Sequence, residues 1–409
     1  MHMNHAFENL LRDATRLTHA GRLMDATAAI QRALGGRTAS ADAAPAVPAH
    51  TAPAEVLEGC VFEVLTPSAA QAAASQASTS TGTSTGTSES ALARSAAHVN
   101  VNPNPNPNRN ANAGRSTSAS KSATAAAFSA GIHHHAGLTR DYKLFVPTGD
   151  RAQALPLLVM LHGCTQNPDD FAAGTGMNKL AQEQGFCVLY PAQSADANPS
   201  RCWNWFKHNH QARGQGEPAL IASLTQAVMK AQGIDPAQVY IAGLSAGGAM
   251  AALVGAAYPE LFAAVGVHSG LAPGAAKNLP DALAAMQGSA ASKHITKLPL
   301  PVIVFHGDQD HTVHPNNAAQ IIDAAQNGAG QSAASAQVEQ GTSGSGQRFT
   351  RTVQDTPTGA GAAEHWLLHG AGHAWSGGQA SGSYTDPRGV DASREMLRFF
   401  RAHPLRGGH

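Results

Sequence analysis

The period of the hydrophobic pattern changes along the chain. From about Phe128 onward, short continuous apolar runs alternate with stretches whose apolar residues recur every three or four positions. Residues 155–163, 186–190, 239–244, 263–269 and 302–307 are runs of the first kind and read as buried strands, with 364–368 as the last strand. Residues 140–147 alternate apolar and polar, as a strand with one solvated face does. Residues 171–184, 218–232, 246–257 and 391–401 carry the helical period. Strands that alternate with helices predict parallel βαβ units, hence an α/β domain with a doubly wound, mostly parallel sheet and helices on both faces. His133, His134 and His135 fall in a segment that reads as a loop, and residues 329–346 read as a low-complexity loop.

Upstream the pattern is different. Phe7, Leu10, Leu11, Ala14 and Leu17, then Leu23, Ala26, Ile30 and Leu34, form two apolar stripes separated by Ala20-Gly21-Arg22 and stopped at Gly35-Gly36. They predict a helical hairpin over 1–36 with one greasy face, suited to packing on the main domain, self-association, or docking on an apolar surface such as a polymer granule. Ala, Ser, Thr, Asn and Pro dominate 37–126. Such a segment buries too little apolar area to offset the entropy of ordering, so it is expected to be a disordered linker, interrupted only by a strand-like run at 56–65. The globular domain is expected over 127–405.

Charge narrows the choice of partners. Only 13% of the 409 residues are charged and the formal net charge is zero, so nothing predicts binding to nucleic acid or to an anionic membrane. No run of about 18 or more apolar residues occurs, so no membrane span is expected. The N-terminus has no basic start followed by an apolar core, and a cytoplasmic location is expected, with an extracellular one as the alternative. The 21 histidines are scattered and the four cysteines match no zinc spacing, so no metal site is expected.

The chemistry centres on Gly243-Leu244-Ser245-Ala246-Gly247. An apolar strand runs into Gly-x-Ser-x-Gly and a helical period leaves it, which is the strand–turn–helix context of the nucleophile elbow of an α/β-hydrolase. The glycines are required because a Cβ on either side of the serine would meet the neighbouring strand or helix. Later strands lead into His306-Gly307-Asp308-Gln309-Asp310 and into His369-Gly370-Ala371-Gly372-His373. These loops supply an acid and a base in the chain order Ser, Asp, His that this fold uses. Asp310 and His373 are the favoured pair for Ser245. Asp308 and His369 are the alternatives, with Asp308 read as a turn cap and His306 and His268 as structural histidines. The oxyanion donors are expected to be the backbone N–H groups of Ala246, which follows the serine, and of Cys164, in the loop after the early strand. A free reactive thiol is the other reading of Cys164.

Taken together, His162-Gly163-Cys164-Thr165-Gln166, Arg201-Cys202-Trp203-Asn204-Trp205-Phe206, Gly243-Leu244-Ser245-Ala246-Gly247-Gly248, His306-Gly307-Asp308-x-Asp310-x-x-Val313, residues 370–378 and residues 382–387 resemble the polyhydroxybutyrate depolymerase family of esterases over about 128–402. The resemblance implies hydrolysis of short-chain polyhydroxyalkanoate or its oligomers through an acyl-enzyme, without cofactor, by Ser245, Asp310 and His373. It is more similar to the intracellular members than to the secreted ones. Small carboxylic esters of feruloyl or acetyl-xylan type are the alternative substrates, and a granule-associated binding protein is the non-enzymatic alternative. Trp203, Asn204, Trp205 and Trp375 are expected to offer an apolar polyester a flat subsite, against the alternative of core packing. A Cys164–Cys202 bridge would tie the aromatic loop to the oxyanion loop.

Overall fold

The computed structural model describes residues 126–149, 153–289, 295–327, 336–356 and 359–405. The helical hairpin expected over 1–36 and the linker over 37–126, with its strand-like run, lie outside the described residues but for Ala126.

The centre is a ten-stranded sheet in the order β1-β2-β4-β3-β5-β6-β7-β10-β9-β8. Its strands are β1 (Ala127–His135), β2 (Leu138–Val146), β3 (Leu155–Leu161), β4 (Cys187–Pro191), β5 (Ile234–Leu244), β6 (Ala264–His268), β7 (Val302–Gly307), β8 (Gln337–Thr342), β9 (Arg348–Thr356) and β10 (Gly359–Leu368). The six strands from β4 to β10 are parallel, and antiparallel strands flank them on both sides. A two-residue ladder, β11 (Trp375–Ser376) with β12 (Thr385–Asp386), stands apart.

The continuous apolar runs follow from burial on both faces. Along β3, Leu157, Val159 and Leu161 enter one core while Leu158 and Met160 enter the other. The first core is closed by α3 (Gly216–Gln232), α4 (Ala246–Ala257) and α6 (Asn316–Asn327), and the second by α1 (Pro168–Thr175), α2 (Met177–Gln184) and α7 (Ala392–Ala402). A seventh helix, α5 (Leu279–Met286), follows β6. Helix starts obey local chemistry: Asn167 Oδ1 accepts from the N–H groups of Asp169 and Asp170 at 3.0 Å each, with Pro168 in the first turn, and Asp391 caps α7 in the same way.

Two expectations need correction. Residues 133–135 are not a loop but the end of β1, which pairs with β2 all along its length. The supposed loop at 329–346 contains β8, paired with β9, and 329–335 fall outside the described residues. In both places ladder hydrogen bonds with a neighbouring strand outweigh weak local propensity.

From β3 the chain passes to β4 on one side and then returns to β5 on the other. The carboxyl ends of β3 and β5 therefore border the crevice where an open α/β sheet binds ligands.

Candidate active site

Four loops meet at that edge, leaving β3, β5, β7 and β10. Ser245 follows β5 directly, at φ 57° and ψ −122°, and α4 begins at Ala246. Its hydroxyl does not cap the helix. The turn is possible only with glycine around it. A Cβ on Gly243 would stand 2.4 Å from the carbonyl carbon of Gly247, and one on Gly247 would stand 2.1 Å from the oxygen of Leu161. The sequence thus trades two side chains for a serine raised on a sharp bend.

Asp310 lies just past β7 and His373 just past β10, and these strands are parallel neighbours in register through Leu368 with Gly307. The loops are laced together: Asp308 N–H donates to Leu368 O at 3.0 Å and Gln309 N–H to Ala371 O at 3.0 Å. Asp310 Oδ2 meets His373 Nδ1 at 2.7 Å, while Asp310 Oδ1 accepts from the N–H groups of Thr312 and Val313 at 2.9 and 2.8 Å. Burial alone would raise the Asp310 pKa, but hydrogen bonds from His306 and His373 outweigh it and hold the carboxyl well below its ordinary range. A carboxylate fixed in this way keeps a proton on His373 Nδ1 and leaves Nε2 to exchange protons.

His268 ties Ser245 to this pair. Ser245 N–H donates to His268 O at 2.8 Å, and His268 Nε2 accepts from the N–H of Ser376, three residues beyond His373, at 3.0 Å. The ring stacks between Phe305 and Trp375. Burial, and then the neighbouring His306 and His373, push its pKa down to about 3, so it is a neutral strut. His306 donates from Nε2 to Val313 O at 2.7 Å and stands 3.4 Å from Asp310 Oδ2, while its Nδ1 has no partner.

Asp308 and His369 form a separate pair. Asp308 Oδ2 lies 3.0 Å from His369 Nδ1, and Asp308 Oδ1 accepts from Gly370 N–H at 2.7 Å. Asp308 thus caps the opposite loop rather than its own turn.

The loop after β3 is held from several sides. Gly163 N–H donates to Gln166 Oε1 at 2.9 Å, Thr165 N–H to Ser200 O at 2.7 Å and Gln166 N–H to Gly163 O at 3.4 Å. These bonds consume the N–H groups of Gly163, Thr165 and Gln166, and that of Cys164 is not among them. A disulfide joins Cys164 to Cys202 with Cα atoms 4.2 Å apart. His162 is buried, which lowers its pKa to about 4; its Nε2 accepts from Gln193 N–H at 3.1 Å.

The aromatic loop differs from expectation. Trp203 and Trp375 are 0% and 1% exposed and Trp205 6%, so the surface expected to carry substrate is turned inward. Trp203 Nε1–H donates to His162 O at 3.1 Å and that of Trp375 to Ser393 Oγ at 3.1 Å. Asn204 is equally buried: its backbone N–H and its amide donate to Glu217 at 2.8 Å each. Trp203 and Trp375 thus pack behind the loops, each with its indole N–H satisfied in the interior.

What organises them carries no sequence motif. Glu217, fully buried on α3, accepts from Arg140 at 3.1 Å, from Gln193 and from Asn204. Burial alone would raise its pKa, but hydrogen bonds from His210, Gln193 and Asn204 prevail and lower it. The available sign was a lone carboxylate in the first turn of a helix with no other acid. Tyr384, in the 382–387 motif but given no role there, is 37% exposed and reaches Thr165 Oγ1 with its hydroxyl at 3.0 Å.

A cavity of about 530 Å³ lies between α1, α2 and residues 377–394, and none of Ser245, Asp310 or His373 lines it. Among the described residues, no cluster of His, Cys, Asp and Glu suits a metal ion, and no helix is long and apolar enough to cross a membrane.

Sheet order, elbow and loop positions define an α/β-hydrolase. A solved acetyl xylan esterase from Aspergillus awamori shares this fold, with a TM-score of 0.50 and 19% identity, over 64% of this chain and 93% of that one. Residues 140–343 match the family described as Esterase PHB depolymerase. The poly(3-hydroxyalkanoate) depolymerase C of Paucimonas lemoignei is 33% identical over 193 residues, 44% of this chain and 46% of the relative. The feruloyl esterase B of Thermothelomyces thermophilus is 26% identical over 186 residues, 41% of this chain and 63% of the relative. The chain belongs, through this domain, to the PHB depolymerase family of esterases, and spans less than half the length of that depolymerase.

Proposed function

We propose that the chain is a serine carboxylic ester hydrolase that cleaves short-chain polyhydroxyalkanoate, or its oligomers, through an acyl-enzyme. The observation that carries the reading is the Asp310–His373 contact at 2.7 Å, tied through His268 to a serine on a strained elbow. His373 Nε2 takes the proton of Ser245 as Oγ attacks the ester carbonyl carbon. The oxyanion that forms is stabilised by the N–H groups of Ala246 and Cys164. The C–O bond to the alcohol then breaks, and His373 returns the proton to the departing oxygen. Water, deprotonated by the same imidazole, attacks the acyl-enzyme and releases the acid and Ser245. Asp310 remains ionised throughout and stabilises the imidazolium.

The depolymerase relative supports the polyester substrate, while the feruloyl esterase relative supports a second reading, hydrolysis of small aromatic or acetyl esters. Hydroxybutyrate oligomers and amorphous polymer, compared with methyl ferulate and acetylated xylan, separate the two. Release of hydroxybutyrate that is lost in Ser245→Ala supports the first, and cleavage of only the latter substrates supports the second.

A further inference from the structure

We propose that Tyr384 is a specificity-determining residue whose phenolic oxygen accepts a hydrogen bond from a substrate hydroxyl, so that the site favours hydroxylated esters over their deoxy counterparts. The proposal rests on the ester-hydrolase reading above.

Position comes first. Tyr384 O accepts from the N–H of Trp375 at 2.7 Å, two residues past His373, and its hydroxyl meets Thr165 Oγ1, next to Cys164. The residue therefore bridges the histidine loop and the oxyanion loop. Its neighbour Ser383 is pinned to that loop and to α1 after it, since Gln166 Nε2 donates to Ser383 O at 3.1 Å and Ser383 N–H donates to Asp170 Oδ1 at 2.8 Å. With both flanks fixed, the ring is held at the rim rather than swinging freely, yet it stays 37% exposed.

Backbone strain marks the same place. Among the described residues, the non-glycine positions with positive φ are Ala136, Thr165, Arg201, Ser245, Ser269 and Tyr384. Ser245 is the elbow serine itself, and Thr165 and Tyr384, at φ 64° and 52°, touch each other. Such strained residues persist only where the surroundings over-determine them, as they do at ligand sites.

Proton counting gives the chemistry. A threonine hydroxyl has one proton, and Thr165 donates its proton to Cys164 O at 2.6 Å. In its contact with Tyr384, Thr165 Oγ1 can then only accept, so Tyr384 is the donor. The phenolic oxygen has spent its proton inward and presents lone pairs outward. It offers a substrate an acceptor and no donor, the arrangement that selects a hydroxyl or another N–H or O–H group.

The test measures kcat/KM for methyl 3-hydroxybutyrate and for methyl butyrate in the wild type and in Tyr384→Phe. The expected result is a wild-type preference for the hydroxy ester that falls about tenfold in the variant, read as the ratio of the two kcat/KM values so that any loss common to both esters cancels. Retained cleavage of methyl butyrate shows that fold and nucleophile are intact. A preference that survives in Tyr384→Phe, or a wild type that does not discriminate, overturns the proposal. A wild type that cleaves neither ester overturns the ester-hydrolase reading itself, and this proposal with it.

Discussion

Asp308 and His369 repeat, nearer the strand ends, the pairing of Asp310 with His373: Oδ2 to Nδ1 at 3.0 Å in one and 2.7 Å in the other, across the same two loops. The pairs differ in surroundings. Asp310 is 3% exposed and also held by Thr312 and Val313, whereas the Asp308 side chain is 30% exposed and His369 Nε2 is engaged by Thr350 Oγ1 at 2.8 Å. Only His373 has its second nitrogen free of such a partner.

That difference predicts unequal effects. Asp310→Asn is expected to lower kcat about 10³–10⁴-fold, because an amide no longer favours the Nδ1–H tautomer of His373. Asp308→Asn is expected to cost less than about tenfold, by loosening the lacing of the loops. Steady-state kinetics on a p-nitrophenyl ester decides, and a larger loss in Asp308→Asn would transfer the acid role to that residue.

Gly247→Ala is expected to leave no folded, active enzyme. The added methyl would sit 2.1 Å from Leu161 O and 2.5 Å from His162 O, both backbone atoms that cannot rotate away. The cost is about 3 kcal/mol or more, read as a fall in the urea midpoint or as insoluble expression.

Cys164→Ser with Cys202→Ser is expected to lower stability by roughly 2–4 kcal/mol, since the bridge closes a loop with 38 residues of sequence separation. Because Cys164 lies in the oxyanion loop, kcat should fall more than KM rises. Equal stability and kcat in the double variant would show that Thr165 N–H on Ser200 O suffices to hold the loop.

Acid should weaken the fold before its carboxylates protonate. His162 and His268 have pKa values of about 4 and about 3 in the folded chain, against about 6.5 when unfolded. Between those limits the unfolded chain binds protons that the folded chain refuses, so stability falls as pH drops below about 6.5. Depressed carboxylates such as Glu217 act in the same direction only below about 4.3. Urea midpoints at pH 7 and pH 5 isolate the histidines, and a midpoint at pH 5 equal to or above that at pH 7 would refute the argument.

The parallel strands and the elbow were legible because period and glycine spacing are local. Leu157 to Leu161 face two cores in alternation, and such a run needs no knowledge of its partners. The order of Ser245, Asp310 and His373 was legible too, because strand ends deliver them. Trp203 and Trp375 were not, since a ring beside a catalytic motif has the same sequence signature whether it faces the cleft or the core. Nor was the role of Glu217, whose partners Arg140, Gln193 and Asn204 come from distant segments. The β8–β9 pairing escaped for a related reason: β8, with its exposed glutamines and Glu339, gains its order from the neighbouring strand rather than from its own pattern.

The antiparallel pairs on either side of the parallel core bear on colloidal behaviour. Among the described residues, the outermost strands are β1 and β8, and each carries one highly exposed branched side chain, Ile132 and Val338. Val338 has the carboxylate of Glu339 beside it, and a charge on an edge discourages a second sheet from adding on. Ile132 is followed by His133, His134 and His135, and His133 Nε2 meets Ser223 Oγ at 3.0 Å. The two rims of the sheet are therefore guarded by different chemistry: a carboxylate follows the exposed side chain on one, and a run of three histidines follows it on the other.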